Sequence, residues 1–253
     1  MDDTLAADAA EIAAHAEREL EALVAVSSPS GDLAGAEEAI AVCAALLPPQ
    51  AAIERVPCST SDGADDLIAR VPGRGERKLL LVGHLDTVID HHSHRPLRRE
   101  GDRLYGPGTV DMKGGVVLSL GLARALSARP ERFAELSLLL VTDEEWRVQP
   151  FTHVERFAGY DACLCFEAGQ LTESGEEGVI VRRKAAGTLR VRATGRASHS
   201  GSAPDQGRNA LLALAHTAIR VSDCHEPSGP DRLSVVPTVV RSGDAFNVVP
   251  AAG

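Results

Sequence analysis

Three short segments each bring a strand-like apolar run or a glycine-rich turn up against side chains able to bind metal or move protons. Leu79–Thr87 carries His84 and Asp86, Gly106–Gly115 carries Asp111, and Leu138–Glu145 closes on the pair Glu144 and Glu145. A buried strand that ends in imidazole and carboxylate groups puts hard ligands at the carboxyl edge of a sheet, where open α/β folds keep their sites. A two-metal hydrolytic centre needs a carboxylate that can serve both ions, terminal ligands for each, and a free base for the attacking water. His84 offers an imidazole nitrogen, and Asp86, two residues on along an extended segment, can hold the other nitrogen and fix the tautomer. Asp111 sits among Gly106, Gly108, Gly114 and Gly115, which permit unusual backbone angles and close approach to ions, so it is the natural bridge. Glu144 and Glu145 are adjacent at a strand end and must diverge: one can ligate metal while the other faces the water as general base. Glu167, just after the Cys163–Phe166 run, offers a further terminal oxygen.

Each of these patterns alone is common surface polarity; their joint placement at successive strand ends is what points to a metal centre. Competing chemistries lack their motifs. The chain has no Gly-x-Ser-x-Gly elbow and no P-loop, and Gly106-x-Gly108 meets Asp111 where a dinucleotide fingerprint needs glycine.

Periodicity predicts the elements that position these groups. Residues 4–26 form an amphipathic helix pattern broken by Ser27–Asp32, and a second helix over 34–47 stops at Pro48-Pro49. Strands are predicted near 52–56, 66–71, 78–83, 103–105, 136–142 and 162–166, with a helix over 114–127. This βα alternation marks an α/β fold, a mostly parallel sheet flanked by helices. From about residue 184 the pattern changes: a period-two strand over 188–194, a helix over 207–221, then strands over 233–240 and 245–249. The chain therefore divides into a metal-binding domain, 1–183, and a small α+β domain, 184–253.

The formal charge of -10, from 36 acidic and 26 basic residues, argues against nucleic acid or an anionic membrane as a partner. No apolar run approaches membrane-spanning length, and the acidic N-terminus has no signal-peptide pattern. The five cysteines form no Cys-x-x-Cys pair and read as buried free thiols in a reducing cytoplasm.

Taken together, the segments resemble the signature of the co-catalytic zinc metallopeptidase and deacylase family that includes carboxypeptidase G, aminoacylase and succinyl-diaminopimelate desuccinylase. The likeness runs from Ser28-Pro29-Ser30-Gly31-Asp32, through Gly101-Asp102-Arg103-Leu104-Tyr105-Gly106, to Phe246-Asn247-Val248-Val249-Pro250. It implies a zinc-exopeptidase catalytic domain with an inserted lid and dimerisation domain, two zinc ions per complete site (cobalt or manganese as alternatives), and a homodimer. By this resemblance His84, Asp111 and Glu167 hold one zinc, and Asp111 bridges to a second that Glu145 also binds. Glu144 is the general base and later the proton donor, and Asp86 orients His84. The segment Gly195-Arg196-Ala197-Ser198-His199-Ser200-Gly201 belongs to the lid, where His199 stabilises the developing oxyanion in a partner's site, and Asn247 contacts substrate. The implied reaction is hydrolysis of a peptide or N-acyl amino acid by metal-activated water.

Two departures stand out. Trp146-Arg147-Val148-Gln149-Pro150 replaces the small Gly-Ser turn that usually follows the paired glutamates. The family pattern also implies a chain truncated inside the lid at Gly253, before a substrate-carboxylate arginine and the last histidine ligand, so that the second metal is left with Asp111 and Glu145. His153, His216, His225 and the loop histidines His91, His92 and His94 are not expected to substitute. The alternative reading is a non-catalytic or inactive fragment that retains a partial metal site.

Overall fold

The computed structural model describes residues 3–181, 183 and 186–253, and the chain separates into two compact units, Met1–Arg183 and Lys184–Gly253. In the first unit, α1 (Asp3–Ala25) and α2 (Leu33–Leu46) precede β1 (Ala52–Val56), β2 (Asp66–Pro72) and β3 (Lys78–His84). A hairpin of β4 (Arg98–Glu100) and β5 (Arg103–Tyr105) leads to α3 (Lys113–Ser127), β6 (Glu135–Val141), β7 (Ala162–Cys165) and the short β8 (Gln170–Leu171) and β9 (Glu177–Gly178).

The main sheet has the order β1-β2-β6-β3-β7. β6, β3 and β7 pair in parallel, while β2 is antiparallel to both β1 and β6. Four of the five strands therefore point the same way and β2 alone is reversed, so the expected mostly parallel sheet forms. The continuous apolar runs become the central strands because both faces are covered: every residue of β6 from Leu136 to Val141 is buried. On one face, Leu23 and Val24 of α1, Ile40 and Cys43 of α2 and Val116 and Leu120 of α3 join Leu81, Leu138 and Leu140 in a single apolar cluster.

Local chemistry sets the helix ends. Asp32 caps α2 by accepting the Gly35 N–H at 2.7 Å. α1 has no basic residue in its last turn. The fully buried Lys113 at the start of α3 supplies the cation instead, donating to the Val26 carbonyl at 2.7 Å and the Leu23 carbonyl at 3.3 Å. Burial pulls the Lys113 ammonium down to about 8.

Two expectations are corrected. Cys43 is buried and Cys58 partly so, but Cys163, Cys165 and Cys224 are exposed. For Cys163 and Cys165 the reason is that β7 is the edge strand of the sheet and all four of its residues are exposed. In the second unit, α4 (Ala210–Ser222) forms behind the N-cap Asn209, but the strands expected over 188–194, 233–240 and 245–249 do not. Among the described residues these segments make isolated bridges, Thr194↔Ala252, His199↔Val248 and Glu226↔Leu233. Alternation tells which side chains could face a core, but a strand also needs a laddered partner and a face to bury. Only Ala210 and Leu214 are buried apolar residues among those described in this unit. No helix among the described residues is long and apolar enough to cross a membrane.

Candidate active site

β3 and β6 end side by side, with His84 in parallel register with Val141 and the Leu85 N–H donating to the Val141 carbonyl at 2.9 Å. The segments that follow, Leu85–Thr87 and Thr142–Glu145, are thus brought together by the sheet register. Ser28–Ser30 runs alongside the first of them: Thr87 donates to the Ser28 carbonyl at 3.0 Å and Ser30 to the Thr87 carbonyl at 2.9 Å.

His84 is buried, and its Nε2 lies 2.8 Å from Asp111 Oδ1 and 3.8 Å from Glu167 Oε1. The ligand atoms of His84, Asp111 and Glu167 all lie within 4.8 Å of one another, the one such cluster among the described residues. An imidazole and two carboxylates at this spacing fit a divalent cation. Asp111 is half-exposed, in the turn where Gly108 adopts φ +74°, just ahead of α3. Glu167 is carried into place by the close packing of α3 on the segment after β7: a Cβ on Gly115 would lie 2.0 Å from the Phe166 carbonyl oxygen.

On the Nδ1 side, His84 contacts the Asp86 backbone carbonyl at 3.0 Å, with the Asp86 carboxylate at 3.4 Å. That carboxylate is buried and does more than face the ring. It accepts the Glu144 N–H at 3.2 Å, the Glu145 N–H at 3.0 Å and lies 3.2 Å from the Ser30 hydroxyl. Asp86 therefore ties the histidine to the paired glutamates. Glu144 is exposed and Glu145 half-buried.

Electrostatics record the crowding of charge. Burial opposes protonation of His84, but the Asp86 and Asp111 carboxylates outweigh it and push the ring up to about 9. Burial, then the neighbouring Asp111, raises both Glu145 and Glu167, with His84 opposing. Three carboxylates crowded around one imidazole are a charge distribution that a bound divalent cation would relieve.

In the second unit, His199 Nδ1 accepts the N–H groups of Gly201 at 3.1 Å and Ser202 at 3.2 Å. The neutral ring therefore carries its proton on Nε2, as a donor. Asn247 neighbours it, its carbonyl accepting the Ser200 N–H at 2.9 Å.

Sequence reasoning missed several supporting residues. Ser30, in the Ser28–Asp32 segment, is a partner of Asp86 that its local sequence does not mark. His153 is buried against the fully buried Asp66, with Nε2 2.9 Å from Oδ2. Burial raises the Asp66 carboxyl to about 6, against the pull of His153 and the Thr142 N–H. No local pattern links residues 87 positions apart; only the alternation of β2, which puts Asp66 at a strand end, hinted at its place.

Residues 80–231 match the sequence profile of Peptidase family M20/M25/M40. Carboxypeptidase G2 of Pseudomonas sp. (strain RS-16) is 31% identical over 195 residues, covering 74% of this chain and 45% of that protein. Succinyl-diaminopimelate desuccinylase of Xylella fastidiosa (strain 9a5c) is 33% identical over 199 residues, 71% of this chain and 52% of the relative. The chain spans about half the length of these relatives. Among solved structures, a tripeptidase from Staphylococcus aureus superposes with a TM-score of 0.58 at 16% identity, covering 94% of this chain and 63% of that one. An M20 family metallo-carboxypeptidase from Sulfolobus solfataricus gives 0.54 at 16% identity, covering 100% and 69%. At these identities the superpositions speak for the fold alone.

Proposed function

The chain belongs to peptidase family M20/M25/M40, and from that premise we propose that it is a metal-dependent hydrolase cleaving a peptide or N-acyl amide bond of a small amino-acid-derived substrate. The observation that carries this reading is the convergence of His84, Asp111 and Glu167 within 4.8 Å, with Glu144 close enough for its charge to raise His84.

His84, Asp111 and Glu167 would hold one ion, and Asp111 with Glu145 would contribute to a second. Zinc is the proposed metal, with cobalt or manganese as alternatives, and when bound it would polarise the scissile carbonyl and acidify a water. Glu144 takes the water's proton and returns it to the leaving amine. Its exposed carboxylate suits that task, while its backbone is fixed by the N–H bond to Asp86. His199, a donor at Nε2, is matched to a developing oxyanion. In this reading it acts in a partner subunit's site, making a homodimer part of the proposal, with Asn247 as a substrate contact. Carboxypeptidase, dipeptidase and deacylase activities all fall within the class, and the free thiols favour a cytoplasmic setting.

The test is Glu144→Ala with metal content measured alongside hydrolysis of N-acyl amino acids and dipeptides. Turnover should fall at least about 100-fold with metal retained; unchanged turnover would sink the assignment. A second reading, an inactive chain with a partial metal centre, is favoured by the single group of converging ligand atoms among the described residues, His84, Asp111 and Glu167. One ion or none per chain, without turnover in the unsubstituted protein, would select it.

A further inference from the structure

The turn that leaves β6 is held by more carboxylates than the metal centre needs. Asp86 accepts the Glu144 and Glu145 N–H groups, as described. Independently, Asp66 Oδ1 accepts the Thr142 N–H at 2.9 Å, and Asp143 Oδ2 accepts the Thr60 N–H at 2.8 Å while its Oδ1 takes the Arg147 guanidinium at 3.1 Å. Asp66 and Asp143 are fully buried. Burying carboxylates is costly unless each is well partnered, and a turn that had only to reverse the chain would not need them.

The loop that follows is fastened at its far end to the same place. Thr152 donates its N–H to the Ser59 hydroxyl at 3.0 Å, and His153 Nε2 reaches Asp66 Oδ2 at 2.9 Å. His153 Nδ1 is buried with no partner among the described residues. An unpaired N–H costs more there than an unpaired lone pair, so the ring is best satisfied as the Nε2–H tautomer donating to Asp66. Thr142–Arg147 is therefore fastened from outside at Thr142, by Asp66 with its partner His153, and at Asp143, by the Thr60 N–H, while the Asp143–Arg147 pair closes the turn on itself and Glu145 lies inside it. His84, Asp111 and Glu167 do not.

We infer that Asp66 and His153 are positioning residues that hold the Glu144–Glu145 turn in place without touching the reacting groups. The inference rests on the proposed hydrolase reading for its functional consequence but not for its structural one. Loss of the pair loosens Glu144, Glu145 and Trp146 and leaves the His84–Asp111–Glu167 centre intact.

Trp146 is the only tryptophan of the chain and directly follows Glu145, so its emission reports on this turn. The test compares His153→Leu, which keeps bulk and removes the donor, His153→Asn, whose amide ends short of Asp66, and His153→Gln, which can set an amide nitrogen where Nε2 was. Emission and near-ultraviolet circular dichroism of Trp146 should change in the Leu and Asn variants and return in Gln, with far-ultraviolet spectra unchanged. Zinc titration should show the tighter binding step altered by less than about twofold, while kcat falls about tenfold in the Leu and Asn variants with little change in KM. Unchanged Trp146 spectra in both loss variants, or a tight step weakened as much as turnover, would overturn the inference. A wild-type chain without metal or turnover would sink the hydrolase reading, and the Trp146 spectra would still decide the clamp.

Discussion

Asp86 shows how much a single buried carboxylate can organise. It joins His84, the backbone of both glutamates and Ser30. Asp86→Ala would leave the two buried-side N–H donors without their acceptor and remove the charge that sustains His84. Metal affinity should fall about 10- to 100-fold, read by competition with a chromogenic chelator; an unaltered affinity would reduce Asp86 to a fold-stabilising role. A second residue-level consequence concerns Cys43, whose burial pushes its thiol up to about 12 from an ordinary 9.0, Lys113 opposing. Because the folded state holds this proton more tightly than the unfolded chain, the stabilisation is complete below pH 9 and is lost as pH rises towards 12. Between pH 8 and 10 the native protein should lose about 1.4 kcal/mol more than Cys43→Ala in urea unfolding, one tenfold step in the unfolded thiol's ionisation. Equal losses would mean that the thiol titrates normally.

At the scale of elements, α3 and the exit of β7 are coupled through a glycine. Gly115→Ala would drive a Cβ to within 2.0 Å of the Phe166 carbonyl oxygen, so the backbone before Glu167 must move. Overpacking of this kind costs about 1–3 kcal/mol, and metal affinity should drop with it. Destabilisation with affinity retained would show that the segment yields without displacing Glu167. The same elements explain what the sequence made legible. β3, β6 and α3 are readable because long apolar runs and a glycine-rich helix entry are local signals, and they mark His84, Asp86, Asp111, Glu144 and Glu145 at their ends as candidates, as the β7 run marks Glu167. What escaped depended on distant pairing. The Asp66–His153 contact and the Lys113 cap of α1 each join segments about 90 residues apart, and the exposure of Cys163 and Cys165 followed from β7 lying at a sheet edge. The alternation over 188–194 was real as a pattern, but alternation cannot specify a partner strand.

For the molecule as a whole, the two units differ in how much they bury, and this sets how each should respond to metal. Among the described residues the first unit holds two apolar clusters, and it gathers Asp111, Glu145 and Glu167 around His84, a set whose mutual repulsion a cation would relieve. A ligand that binds only the folded form stabilises by RT ln(1 + [L]/Kd), about 2.7 kcal/mol at a hundredfold excess over Kd. That gain belongs to the unit that contains the ligands. The second unit buries only Ala210 and Leu214 among its described apolar residues and leaves Leu189, Val239 and Phe246 largely exposed, so its amides should exchange at the fast end of the range. Hydrogen exchange followed by mass spectrometry, with and without zinc, tests both statements at once. Peptides from β3, β6 and the Thr142–Glu145 turn should gain protection on zinc addition, while those from 186–253 exchange quickly in both conditions. Equal gains across both units would show that metal acts on the entire chain rather than through the carboxylates of the first, and no gain in either would remove the metal centre from the account.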